Sequence, residues 1–527
     1  MAQWNKNSQE LGNNTKTLYE VQMQSDQYGN IFNEGATARS AFGETIAVPV
    51  TPVLQLDGLY DLDPQQFETF QAGGTAGTTD TLMRVTTGTG QFGYGVLRSR
   101  RAVRYRPGQG AVSRFTAKFT ESAPGVGVDG YTQRAGFFSQ EQAVQVGFNG
   151  TEFGVLRENG GKAHIENLTI TAPAGATSDI IITYPTQGAS TSTETIGVTT
   201  GDTVQEVAQK IALAFAGNPF YIVETYDDKV CFLARSVGAK GSAFNYDAGT
   251  TQTTATSVNV QVGVAHTSLW TAQADFNFDT LDGNGPSKVT IDPTKLNVFQ
   301  INFRWLGAGE IRYAIENPIN GDMIYFHHEH YSNRNVDVHI DNPSLKIGYV
   351  AASLGGTGTD VVVEGGSMMG AIEGVITTTK FPTATFRESD TNLTADTWHH
   401  VLTVSNNLVF RGKINTREIL LKNINSAFSG TGPVTVALLL NATGLATTRE
   451  FVSLNEYSSA SSSNTTSVVT LGDQRLMYIF DVEAGGSGSQ VLEDLRIAIP
   501  PSNQLSVLIR SPQQISRNAI SMSWVED

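Results

Sequence analysis

Only one stretch of this chain repeats its apolar residues at helical spacing. Val204, Val207, Ala208, Ile211 and Phe215 fall on one face between residues 204 and 216. Thr203 and Glu206 form a T-x-x-E capping box ahead of it, and Gly217 and Pro219 stop it. Elsewhere the periodic segments alternate with period two, the signature of half-buried strands. In SRFTAKFT (113–120), Phe115, Ala117 and Phe119 share a face, and RAVRYRP (101–107) alternates in the same way. AVQVGFNGTEFGVLRE (143–158) reads as a hairpin around Asn149-Gly150. A second hairpin is expected around Asn320-Gly321, in EIRYAIENPINGDMIYFHHE. The fold class expected from this pattern is mainly β.

With 527 residues the chain exceeds a single core of roughly 250–300 residues, so several domains are expected. Residues 1–40 are polar, aperiodic and poor in aliphatic clusters, and read as an arm without its own core. Strands occupy 41–161 and resume at 266–370; neither half holds enough of them to close a sandwich alone. Between them, 162–265 carries the helix flanked by strand-like segments, a small α+β module inserted into a discontinuous sandwich. Insertion at a surface hairpin costs little loop-closure entropy. Residues 371–527 hold eight further short strand patterns, from WHHVLTVSN to ISMSWVE, suited to a jelly-roll-like sandwich. Within them SSASSSNTTS (458–467) is expected to be a low-complexity loop tip.

A net charge of −15 argues against nucleic acid and anionic membrane as partners. No run approaches the roughly 18 apolar residues of a transmembrane helix. The opening MAQWNKNSQELGNN has no apolar h-region, so no secretory signal is expected. The single cysteine, Cys231, excludes an intrachain disulfide and reads as a small buried residue.

DMIYFHHEHYSNRN (322–335) concentrates histidines His327, His328 and His330, with His339 just beyond. Strict alternation would put His328 and His330 with Ile324 and Phe326, and His327 and Glu329 with Tyr325. A zinc site needs a third ligand that no nearby cluster supplies, and H-E-x-x-H is absent, so no metal is expected. GTGQFG (88–93) matches G-x-G-x-x-G, but more strand follows where a dinucleotide fold needs a helix. It reads as a turn, and no cofactor is expected. DTLDGNG (279–285) fails calcium-loop spacing and reads as an Asx-turn. No nucleophile–base motif occurs, so no catalytic residue is assigned and the chain is read as a non-enzyme. Arg98, Arg100, Arg101, Arg104 and Arg106 form the one basic cluster. In strands they would make a guanidinium ladder facing acidic groups of a neighbouring subunit or of the same chain.

Several stretches together resemble a family of virion-associated proteins of tailed phages and large aquatic viruses. They are SAFGETIAV (40–48), RYRPGQGAVSRFTAKFT (104–120), GFNGTEFGVLRENGG (147–161), FNFDTLDGNGPSKVTIDPTKLNVFQINFRWLGAGEIRYAI (276–315) and HHEHYSNRN. The resemblance spans about 40–380 and departs at the family's central R-V-R-F-G strand, here EIRYAI. GDTVQEVAQKIALAF (201–215) is similar to small modules within phage structural proteins. The resemblance implies a concanavalin/laminin-G-like β-sandwich in a structural virion component: a capsid-associated, fibre or tail protein acting in assembly. It also implies partners, namely copies of the chain in a homotrimer and other virion proteins, and it makes the histidine stretch framework. The alternative is a lectin-like host-adsorption protein binding surface glycans through Trp270, Trp305, Asp279, Asp282 and Asn284. A polysaccharide-cleaving tail enzyme ranks below both.

Overall fold

The period-two segments pair as their alternation requires. The computed structural model describes residues 49–186, 190–375, 382–442, 444–445, 449–471 and 475–527, with the backbone of two short paired strands, Met23–Ser25 and Ile31–Asn33. The arm expected over 1–40 otherwise lies outside the described residues. Residues 1–51 and 373–375 form a small separate unit, in which Thr51 Oγ1 donates to the Gly374 carbonyl at 2.6 Å. Residues 52–372 and 376–527 form the other.

The fold is mainly β. In the first sandwich a seven-stranded antiparallel sheet runs Thr267–Ala272, Glu152–Asn159, Ala143–Asn149, Tyr131–Phe138, Lys346–Ser353, Tyr94–Ser99, Phe67–Ala72. It packs on a nine-stranded sheet that contains Met323–Glu329, Ile311–Glu316, Asn297–Arg304 and Gly110–Phe119 in that order. Inward-facing aromatic side chains fill the interface. Phe115 stacks on Phe299 at 5.8 Å, and Phe119 meets Phe148 edge-on at 6.1 Å. Phe137 meets Phe303 edge-on at 5.5 Å, a preferred geometry for ring quadrupoles. Both expected hairpins form, with Asn149 opposite Glu152 and Glu316 opposite Met323. Gly150 and Gly321 take φ of +63° and +79°, which glycine adopts without Cβ strain.

Strands between Ala163 and Gln261 pair among themselves in a four-stranded and a three-stranded sheet. The helix Val204–Ala214 buries Val207, Ala208 and Ile211 against them. Its capping box is formed: Glu206 N donates to Thr203 Oγ1 at 3.2 Å and Thr203 N to Glu206 Oε2 at 2.8 Å. The helix ends two residues earlier than its apolar spacing suggests, because the Ala216 N–H turns to the Leu213 carbonyl in a tighter last turn. At the neck, Lys162 and Val264 exchange backbone hydrogen bonds of 2.9 Å, so the chain enters and leaves this module side by side.

The last region is a second sandwich, with five- and seven-stranded sheets around a core centred on the fully buried Trp524. Two sequence expectations fail here and next to it. The serine tract is not a loop tip: Ala460–Ser463 is a strand paired with Trp398–Asn406, and Ser459, Ser461 and Ser463 are buried. Their small hydroxyls find internal partners; Ser459 Oγ donates to Asn406 Oδ1 at 3.0 Å and Ser461 Oγ to Asn407 Oδ1 at 2.7 Å. Residues 101–107 form no strand, only a bridge from Val103 to Leu345, so there is no guanidinium ladder.

The three folded parts of the larger unit are joined by side chains. Arg101 makes two 2.9 Å hydrogen bonds to the Glu418 carboxylate, and Arg104 and Arg106 face Asp527. Arg475 spans both oxygens of Asp63 at 3.0 Å. Cys231, Leu233 and Ile165 of the inserted module pack on Leu408 and Val409.

Candidate functional site

Alternation gives the seven-stranded sheet a second face, directed away from the aromatic core. On it Arg134, Gln145, Leu156, Glu158 and Trp270 come from four neighbouring strands. Register places Gln145 opposite Leu156 and Leu156 opposite Trp270. Leu156, Ala143 and Phe138 form an apolar floor, with Val96, Val350 and Trp270 packed against it. A Cβ on Gly154 would come within 2.8 Å of Trp270 Cζ2, so the indole occupies space that only glycine leaves.

Charge on this face is locally balanced. Arg134 lies 3.4 Å from Glu158 and donates to Asn149 Oδ1 at 3.3 Å. Burial pushes its guanidinium below the usual range, and Glu158 opposes that shift. Glu158 also accepts from Ser268 Oγ at 3.2 Å and lies 3.7 Å from His266 Nδ1. Four buried nitrogens here have no hydrogen-bond partner: Arg134 Nε, Gln145 Nε2, His266 Nε2 and Trp270 Nε1. A buried unpaired donor costs about 1–3 kcal/mol, so each such group calls for an explanation, of which a bound partner is one.

Of the residues singled out from sequence, Trp270 alone lies here. Trp305 is framework: its Nε1 donates to the Ile340 carbonyl at 2.7 Å and its ring meets Tyr105 edge-on at 5.1 Å. Asp279, Asp282 and Asn284 build their own loop. Asp279 is buried and accepts from Leu281 N and Ser287 N, and Asp282 accepts from Asn284 N and Thr280 Oγ1. Those hydrogen bonds hold the Asp282 carboxyl down to about 2. The five arginines have partners inside the chain. Arg98 and Lys346 share Glu68 at 2.5 and 2.6 Å, Arg100 turns its Nε to the Pro64 carbonyl, and Arg101, Arg104 and Arg106 reach the last sandwich.

The histidine stretch breaks strict alternation. Tyr313 pairs with His327 but Ala314 with Tyr325, so Phe326 is an extra residue. That bulge reverses the parity expected from the sequence: His327 and Glu329 fall on the face of Ile324. His327 is buried against Phe276 and Tyr313, and burial pushes it down to about 4. Glu329 pairs with Arg157 at 2.7 Å, and His328 stacks on Phe278 at 3.9 Å. No group of three metal-ligating side chains occurs among the described residues. The double substitution His328→Ala, His330→Ala is therefore expected to leave metal content unchanged; loss of one stoichiometric Zn²⁺ by elemental analysis would overturn this.

Arg134, Gln145, Glu158 and His266 were missed by sequence reasoning. The one available signal was glycine inside strand patterns, Gly147 and Gly154 in GFNGTEFG, which marks close approach of another group. Lone polar residues on a strand otherwise look like any solvated face.

No family model and no curated protein matches the chain's sequence. Among solved structures it is similar to a legume lectin-like domain from Entamoeba histolytica (9% identity, 61% of this chain and 97% of that one, TM-score 0.23). It is similar to peanut lectin (11% identity, 62% and 99%, TM-score 0.23). It is also similar to an endo-β-1,4-glucuronan lyase from the fungus Trichoderma reesei (10% identity, 62% and 96%, TM-score 0.22). The chain is a mainly β protein: a β-sandwich with a small α+β insertion, followed by a second β-sandwich.

Proposed function

We propose that the outer face of the seven-stranded sheet binds a glycan, and that the chain does so as a non-enzymatic structural component of a virus particle. The observation that carries the glycan reading is the group of unpaired donors, Arg134 Nε, Gln145 Nε2 and Trp270 Nε1, set around a partly exposed indole. Sugars offer many oxygen acceptors and apolar C–H faces, which suit donors and an aromatic ring respectively. A binding role rather than a hydrolytic one is supported by Glu158, whose oxygens are already engaged by Arg134, Ser268 and His266. Glycoside hydrolysis uses a pair of carboxylates flanking one bond.

The virion reading rests on the sequence resemblance. The segments carrying that resemblance, though distant in sequence, are neighbours in one sheet, which bears on the fold they share. Asn297–Arg304 pairs with Gly110–Phe119 on one side and Ile311–Glu316 on the other, and the histidine strand follows.

A panel of neutral and acidic polysaccharides tests the glycan reading by affinity electrophoresis. At least one should retard the chain, and Trp270→Ala should weaken that binding about tenfold, ~1.4 kcal/mol, with unchanged circular dichroism. Equal retardation of the variant, or none across the panel, would sink it. Immunogold labelling of purified particles tests the virion reading; unlabelled particles containing no copy by mass spectrometry would reject it.

A further inference from the structure

Where the three folded parts of the larger unit meet, they enclose a cavity of about 570 Å³, within the usual range for small-molecule sites. The sheet contributes Phe70, Arg98, Arg100 and Lys346, the inserted module Arg235, and the last sandwich Leu408 and Ile414. Phe70 is the organising side chain. The guanidiniums of Arg98 and Arg235 each lie 5.1 Å from its ring centroid, so one ring holds two cations.

Four cations, Arg98, Arg100, Arg235 and Lys346, line the cavity with four carboxylates, Asp61, Glu68, Glu141 and Glu418, but of these carboxylates Glu68 is the one ion-paired to the cations. Glu68 alone faces both Arg98 and Lys346. Arg100 and Arg235 turn their Nε to the backbone carbonyls of Pro64 and Asn218, neither of which carries charge. Glu418 is taken by both nitrogens of the Arg101 fork. Glu141 is engaged by Ala163 N and Gln261, and Asp61 by Leu62 N and Thr78. Burial pushes Lys346 down to about 8, opposed by Glu68 and assisted by Arg98. Arg100 and Arg235 thus present guanidiniums bonded to backbone carbonyls rather than to a carboxylate.

We propose that this three-way cavity is a binding site for a sugar-sized organic anion, whose carboxylate or phosphate lies between Arg98, Arg235 and Lys346 and whose body packs against Phe70. Charge-assisted hydrogen bonds from guanidinium and ammonium groups are among the strongest available to such an anion, and an aromatic wall suits a sugar ring. The ligand bridges all three folded parts, so its binding also ties them together. The cavity lies at the other end of the sheet face that carries Trp270, and the two adjoin at Phe138, over whose ring Arg98 lies at 5.8 Å.

The test is isothermal titration calorimetry and thermal unfolding of the full chain with D-glucuronate, glucose 6-phosphate, glucose and sodium chloride of matched ionic strength. One of the two sugar anions should bind and raise Tm, and which one identifies the anionic group; glucose and chloride should do neither. Arg235→Gln and Lys346→Met should each weaken binding about tenfold. Should either fail to fold, Arg100→Gln, half-exposed at the cavity wall, is expected to weaken binding severalfold. Absence of binding by both sugar anions would overturn the proposal. So would an equal Tm rise with chloride, or unchanged affinity in every folded variant.

Discussion

Glu68→Ala is expected to destabilise the chain by about 3 kcal/mol in urea titrations at neutral pH. Glu68 is the one carboxylate holding both Arg98 and Lys346, at 2.5 and 2.6 Å, and all three side chains are largely removed from solvent. Deleting one partner of a buried ion pair leaves uncompensated charge behind, and that costs more than the pair itself contributes. Here two cations would be stranded beside Arg235, so the loss falls at the upper end for a single carboxylate. The two cations hold the Glu68 carboxyl down to about 2 against burial, which alone would raise it. Its folded pKa thus lies below the unfolded value near 4.5. The associated stability is fully present above pH 4.5 and is lost as pH falls toward 2. Glu68→Gln keeps the shape and removes the charge, so it should fall between wild type and alanine. A loss under about 0.5 kcal/mol for the alanine variant would mean that water already screens the cluster.

Glu224→Gln should do the opposite and stabilise the chain at pH 8. Glu224 belongs to the inserted module but reaches the last sandwich, where its carboxylate accepts the Leu408 N–H at 2.5 Å. Burial pushes its pKa up to about 7, against the opposing pull of the hydrogen bonds from Leu408 and Ser405. The folded state therefore holds a proton that the unfolded state releases near pH 4.5. The contribution of this group is greatest below pH 4.5, declines as pH rises to 7, and is flat above. The slope is one proton, about 1.4 kcal/mol per pH unit, and the whole window amounts to roughly 3.5 kcal/mol. A glutamine amide still offers a carbonyl to Leu408 N and does not titrate. The difference between wild type and Glu224→Gln is the informative quantity, because His327 and His400, both pushed down to about 4 by burial, act oppositely. They are buried neutral, so their stability is lost as pH falls from 6.5 toward 4. Parallel stability–pH curves for the two proteins would reject the assignment.

The fold was legible where local chemistry is decisive. The capping box at Thr203 and Glu206, the hairpins closed by Gly150 and Gly321, and the Phe115, Ala117, Phe119 stripe all appear as read. Each depends on residues close in sequence. The serine tract was misread because composition reports solubility in water, whereas Ser459 and Ser461 are satisfied by Asn406 and Asn407, more than fifty positions away. The histidine parity was misread because a bulge inserts one residue at Phe326, and nothing in FHHE announces it. The strand over 101–107 was misread because alternation describes two faces but cannot supply a neighbour to pair with; only Val103 finds one, at Leu345.

Period-two alternation, one capped helix and glycine at the turns determined by themselves that this chain is mainly β, because those signals act within a few residues. Which of the singled-out residues come together in a site was decided by tertiary structure. Of the two tryptophans singled out from sequence, Trp270 stays a binding candidate and Trp305 is a framework residue, because one indole lies over Gly154 and the other is hydrogen-bonded to Ile340. Sheet register brings Arg98 and Lys346 to Glu68, and Arg235 joins Arg98 at Phe70 only because an inserted module folds back over the sheet that it interrupts. Convergence of that kind depends on strand register and domain packing, and neither is encoded in the spacing of the residues that converge.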